Sequence, residues 1–178
     1  MYKEFRLSGS GGQGVILMGI ILAEAGVAKG LEVLQSQSYG PEARGGASKC
    51  DVILSEETID FPVVREPDFF ISITQDSADK HGHGLKESSV AIFDSGIDIP
   101  DHLGTKNIFV YPIIETARTK LGKPITANII TLGVISALTD IFSQEELLKA
   151  ILSRVPKESE GLNKRAFHEG IKLVNRDA

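Results

Sequence analysis

Residue types able to do chemistry gather in two clusters near the amino end of the chain. The first is Gly9-Ser10-Gly11-Gly12-Gln13-Gly14, set between a short alternating run and a long apolar stretch. The second is Ser38-Tyr39-Gly40-Pro41-Glu42-Ala43-Arg44-Gly45-Gly46, about one supersecondary unit later. Glycine loses more backbone freedom on folding than any other residue, so this density asks for positive φ or close backbone approach to a ligand or a second chain. Gly9-x-Gly11-x-x-Gly14 has the spacing of a phosphate-binding turn, in which a helix N-terminus turns unpaired N–H groups toward an anion. A plain strand-to-helix turn would use the same glycines, and that reading stands beside the phosphate one. In the second cluster Arg44 carries a planar fork suited to phosphate or carboxylate. An ion pair with Glu42 is the competing use of that fork.

A nicotinamide enzyme needs one more group, an acid roughly 20 residues past the glycines to hold the ribose. At the end of the second predicted strand the chain offers Gln35, Ser36 and Gln37, while Glu32 lies at that strand's wrong end. No Gly-Lys-Ser/Thr follows the glycines, which excludes a P-loop. His81-Gly82-His83 has no third ligand close in sequence and reads as a loop or helix end, and His102 and His168 read as surface residues. No metal ligand set and no catalytic residue are assigned to the chain. The single cysteine, Cys50, sits in a predicted strand as a small hydrophobe. One cysteine excludes an internal disulfide and cannot hold an iron–sulfur cluster of the usual four thiolates.

The elements that position these residues follow from hydrophobic period. Phe5 and Leu7 alternate with polar neighbours in a first strand, Lys3–Ser8. Gln13 or Gly14 then opens a helix running to about Lys29, which Gly30 stops. Leu31–Gln35 is a second strand, and the strand–helix–strand unit predicts parallel neighbours. Further strands are expected at Ala47–Leu54, Asp68–Thr74, Ser89–Phe93 and Asn107–Tyr111, with a helix near Ala78–Leu85. The last third is helical, at Glu115–Leu121, Ala127–Leu138, Gln144–Leu152 (capped by Ser143) and Leu162–Val174. The expectation is an α/β, Rossmann-like three-layer domain with a mostly parallel sheet and a helical C-terminal third. Loops leaving the carboxyl ends of parallel strands share one crevice, so both glycine clusters are expected on one rim.

The 178 residues suit a single domain, 1–178, of ordinary soluble composition, 42% hydrophobic and 24% charged. Net charge is −5 and no basic stripe runs along the chain, which argues against a nucleic-acid partner. No apolar run reaches the roughly 20 residues that span a bilayer, and no leader pattern opens the chain, so no membrane partner and a cytoplasmic location are expected.

Gly9-Ser-Gly-Gly-Gln-Gly-Val15, Leu22-Ala-Glu-Ala25 and Ser38-Tyr-Gly-Pro-Glu-Ala-Arg-Gly-Gly46 with Ser48 together resemble the gamma subunit of 2-oxoacid:ferredoxin oxidoreductases. The same segment forms a domain, the third, of single-chain pyruvate:ferredoxin oxidoreductases. The likeness continues through Thr74-Gln75 and Asn128-x-x-x-Leu132-Gly133 and covers nearly the whole chain. It implies a complex that oxidatively decarboxylates a 2-oxoacid with coenzyme A, giving acyl-CoA, carbon dioxide and reduced ferredoxin. It also implies alpha, beta and delta partner subunits that hold thiamine diphosphate, magnesium and iron–sulfur clusters. This chain then binds no cofactor alone, and coenzyme A lies at its interface. The carried-over binding residues are Gly9, Ser10, Gly11, Gly12, Gln13, Gly14, Tyr39, Gly40, Pro41, Glu42, Arg44, Gly45 and Gly46, set against coenzyme A or the thiamine subunits. A stand-alone Rossmann-like nucleotide-binding oxidoreductase is the alternative reading of the first cluster.

Overall fold

A computed structural model of the chain describes residues 1–39 and 45–175. They fall into two compact units, Met1–Val110 and Tyr111–Ala178. The first is built on a six-stranded sheet of β1 (Tyr2–Ser10), β2 (Glu32–Ser38), β3 (Ala47–Ser55), β4 (Phe69–Ser72), β5 (Val90–Asp94) and β6 (Asn107–Tyr111), in the order β2-β3-β1-β4-β5-β6. β1 runs parallel to β4, from Phe5↔Phe69 to Ser8↔Ser72, and β4 runs parallel to β5.

The expected side-by-side pairing of β1 and β2 is corrected here. They point the same way, but β3 lies between them and runs antiparallel to both, matching Tyr2↔Ser55 on one side and Glu32↔Ser55 on the other. The side chains give the reason. β3 is buried at every position but Lys49, as a strand enclosed on both faces must be, whereas β2 ends in exposed Ser36, Gln37 and Ser38. Polar residues suit an edge strand and Val52, Ile53 and Leu54 do not.

Helix α1 (Val15–Ala28) covers the sheet face that carries Phe5, Leu7, Cys50, Val52 and Leu54. Two of its glycines set the approach. A Cβ on Gly19 would stand 2.1 Å from Cys50 Sγ, and one on Gly26 would stand 2.6 Å from Leu54 Cδ2. Only a bare backbone fits so near the sheet. On the same face Phe5 and Phe69 stack with ring centroids 4.7 Å apart.

Helix α2 (Gln75–His81) lies on the opposite face, where Ala78 packs with Phe70, Leu85, Ala91, Phe93 and Ile97. It overlaps the expected Ala78–Leu85 but begins at Gln75 and ends at His81. The helix stops at His81, and Gly82 caps its last turn so closely that a Cβ there would meet Ala78 O at 2.6 Å. Covered on both faces, the sheet is the middle layer of the expected α/β arrangement.

The second unit is helical, with α3 (Ile113–Thr119), a 3-10 turn at Pro124–Thr126, α4 (Ala127–Leu138), α5 (Gln144–Arg154) and α6 (Glu160–Asn175). α4 is buried from Ala127 to Ser136 and is apolar nearly all round, the pattern of a central helix. It meets α6 backbone to backbone. A Cβ on Gly133 would lie 2.1 Å from Phe167 O, and one on Gly170 would lie 2.0 Å from Ile130 O. α5 opens with the anticipated Ser143 cap, extended into a capping box. Ser143 Oγ accepts from Glu146 N–H at 3.2 Å, and Ser143 N–H donates to Glu146 Oε2 at 2.7 Å.

Candidate functional site

The site is assembled where the parallel strands end. β1 finishes at Ser10, and its turn is closed twice by Gln13. Gln13 N–H donates to Ser10 O at 3.2 Å, while Ser10 N–H donates to Gln13 Oε1 at 2.7 Å. Gly12 (φ 89) and Gly14 (φ 75) take left-handed conformations that side chains disfavour, and Gly14 is the residue from which α1 springs. Gly9 has no room for a Cβ, which would fall 2.8 Å from both Gln13 Oε1 and Ile73 Cγ1. The Gln13 amide oxygen is thus a brace for the turn, a role its position in sequence did not announce.

No side chain caps α1, and its first turn holds no acid. The leading N–H groups of this 14-residue helix thus lack a side-chain cap, and Gly11 and Gly12 just before it are exposed. This donor set, with the positive end of the helix dipole, fits a phosphate oxygen.

The second cluster meets the first. Gly11 N–H donates to Gly46 O at 3.0 Å, and Gly45 (φ 75) lies alongside. Tyr39 is 64% exposed where β2 ends. Gly40, Pro41, Glu42 and Arg44 lie outside the described residues. Two further turns share this edge. Ile73 N–H reaches Ser8 O at 3.2 Å as β4 ends, and Thr74 begins α2, with Ser77 Oγ 2.6 Å from Ser72 Oγ. The turn after β5 is an Asx turn in which Gly96 N–H donates to Asp94 Oδ1 at 3.0 Å. Gln75 ties the two turns together, accepting from Asp98 N–H at 2.8 Å and donating to Asp98 O at 3.0 Å.

One charged residue escapes a sequence reading. Arg6, between core residues Phe5 and Leu7, is 3% exposed on the face covered by α2. Its Nε donates to Asp51 Oδ1 at 3.2 Å, Nη1 to His83 O at 2.9 Å and Nη2 to Val64 O at 2.9 Å. Lys49 Nζ pairs with the other oxygen of Asp51. The only sequence signal is an Arg and an Asp each flanked by strand-core residues. Cys50 points away from this group to the α1 face, and burial pushes its thiol up to about 11, so it behaves as the expected small hydrophobe.

His81 and His83 do not act as a pair. His83 is exposed, while His81 Nε2 is buried with no hydrogen-bond partner. Burial, then the cations Lys49, Lys80 and Arg6, push His81 from 6.5 down to about 4. Above 6.5 both folded and unfolded chains hold it neutral, and its contribution to stability is complete. As pH falls from 6.5 toward 4, the unfolded chain takes a proton that the folded chain refuses, and stability drains away. Thermal midpoints of the natural chain and His81→Asn should keep a constant offset above pH 7. Below about pH 6 the natural chain should lose more than the variant; parallel curves down to pH 4.5 would refute the assignment.

Comparison with known proteins places the chain. Residues 4–173 match the model of the pyruvate ferredoxin/flavodoxin oxidoreductase family. The chain belongs to this family. The 2-oxoglutarate synthase subunit KorC of Methanocaldococcus jannaschii is 44% identical over 177 residues, covering 98% of this chain and 95% of that one. Among solved family structures, the gamma subunit of a keto/oxoacid ferredoxin oxidoreductase from Geobacter sulfurreducens matches with a TM-score of 0.87 at 41% identity. That match covers 99% of this chain and 98% of the other. The 2-oxoglutarate:ferredoxin oxidoreductase of Magnetococcus marinus, solved with 2-oxoglutarate, coenzyme A and succinyl-CoA, matches at 0.84 and 25% identity. There the match covers 98% of this chain but 31% of the longer one, so the family fold recurs as one part of a larger polypeptide. Among the described residues no helix is long and apolar enough to cross a membrane.

Proposed function

We propose that this chain is the gamma subunit of a multi-subunit 2-oxoacid:ferredoxin oxidoreductase of the cytoplasm, with 2-oxoglutarate as the substrate and succinyl-CoA as the product. The observation that carries the reading is the contact of the two glycine elbows, Gly11 N–H to Gly46 O, beside the uncapped start of α1. Backbone donors at that edge suit the phosphates of coenzyme A, and Arg44, next in sequence to Gly45, is of a residue type whose planar fork binds phosphate. With one cysteine, itself fully buried, the chain leaves electron transfer to clusters held by partner chains. Thiamine diphosphate and magnesium belong in alpha and beta subunits, where they supply the carbanion chemistry, and a delta subunit passes electrons to ferredoxin. The share of the gamma chain is to orient coenzyme A and to present a fixed sheet edge on which the thiamine subunits close.

The reading is tested on the assembled complex. Arg44→Ala removes one charge-assisted contact, so the KM for coenzyme A should rise about tenfold with kcat little changed. Gln13→Ala removes the brace and should raise the same KM through a looser turn. If both variants keep the natural KM and turnover, the elbows do no more than assemble the complex, and the coenzyme A reading fails.

A further inference from the structure

The chain as a whole is acidic, with 24 acidic against 19 basic residues, yet one concave surface has the opposite sign. In the helical unit a cleft of about 360 Å³ opens between the end of α3 and the outer face of α6. Lys120 lines one wall, and Lys164, Arg165, His168 and Lys172 line the other, with part-buried Leu121 as apolar contact. Four permanent cations therefore surround a single acid, Glu169, and its carboxylate is already taken by Lys172 Nζ at 2.8 Å. Lys164, His168 and Lys172 recur every four residues, so they share one face of α6 and extend over roughly 12 Å of helix. His168 is oriented as well as placed. Its Nδ1 lies 2.7 Å from Lys164 O, and a carbonyl only accepts, so Nδ1 carries the hydrogen and the ring is tied to its own helix.

We propose that this cleft binds the phosphate groups of a small molecule carrying a diphosphate or several phosphates. Its volume lies in the range of small-ligand pockets. Its length along α6 exceeds a single phosphate, and Arg165 adds a fork able to grip two oxygens at once. An acidic protein surface would meet the same charges but has no need of a concave wall with an apolar patch. The cleft belongs to the helical unit and the elbows to the sheet unit, so each is tested by its own variants, and coenzyme A phosphates found in the cleft would overturn their assignment to the elbows.

The test is calorimetric binding of inorganic pyrophosphate, ATP, coenzyme A and dephospho-coenzyme A to the full-length chain. The natural chain should bind pyrophosphate saturably, with affinity falling steeply as salt rises. Lys164→Ala/Arg165→Ala should weaken it at least tenfold, whereas Lys149→Ala, an exposed lysine on α5, should leave it unchanged. Unaltered thermal midpoints would show that the variants fold. Coenzyme A binding far tighter than ATP, weakened by loss of its 3′-phosphate and lost in the double variant, would assign the phosphates to coenzyme A. Comparable binding of ATP and pyrophosphate would assign them to a free nucleotide or phosphate metabolite. No saturable binding of any of the four, or equal affinity in the double variant, would overturn the proposal.

Discussion

Asp51→Ala should lower the unfolding free energy by about 3–5 kcal/mol, the range for removing one partner of a buried ion pair. Asp51 is 4% exposed and is the counter-charge for Arg6, which is itself 3% exposed and otherwise meets only backbone carbonyls. Truncation strands the guanidinium beneath α2 with no anion beside it. Asp51→Asn keeps an acceptor for the Arg6 Nε–H and should lose less. Replacing both residues, Arg6→Leu with Asp51→Leu, should recover most of the loss, since a buried pair is often no better than well-packed apolar groups. Urea denaturation of the four chains checks this. A loss below about 1 kcal/mol in Asp51→Ala would mean that the pair contributes little.

Gly170→Ala should cost about 3 kcal/mol, at the upper end of the overpacking range, because the added carbon meets backbone. It would fall 2.0 Å from Ile130 O and 2.9 Å from the Gly133 Cα, and neither is the movable end of a side chain. α4 and α6 would have to separate, opening the contact around Ile130, Gly133 and Phe167. Gly161 supplies the control on the same helix. A Cβ there meets nothing within 4 Å, so Gly161→Ala should be neutral or should stabilise by up to about 1 kcal/mol through the unfolded chain. Opposite signs for the two substitutions in thermal unfolding would support the close crossing. Equal small effects would refute it.

The meeting of the two glycine clusters was legible in the sequence, because parallel strands send their loops to one edge whatever their order in the sheet. The bounds of β6 and α4 were legible too, since Pro112 limits the strand and a run of apolar residues marks the buried helix. The place of β3 was not. Local pattern sees that Val52, Ile53 and Leu54 are buried, but no residue within the strand states which neighbours it has or which way it runs. Arg6 was hidden for a related reason. Alternation names its face as the opposite of Phe5 and Leu7, and only the position of α2 turns that face into interior. Gln13 reads as a group free for a ligand until the φ values of Gly12 and Gly14 bring its amide back onto Ser10.

Because β3 comes after β2 in the chain yet lies beside β1, the middle of the sheet is completed out of order during synthesis. β1 and α1 leave the ribosome first, and neither flank of β1 is filled until residues 47–72 have followed. Gly46 reaches Gly11 only once β3, which follows it in the chain, pairs with β1, so the rim forms with the sheet and not before it. A partner that docked on that rim, as proposed, would meet only a polypeptide whose strands had already closed.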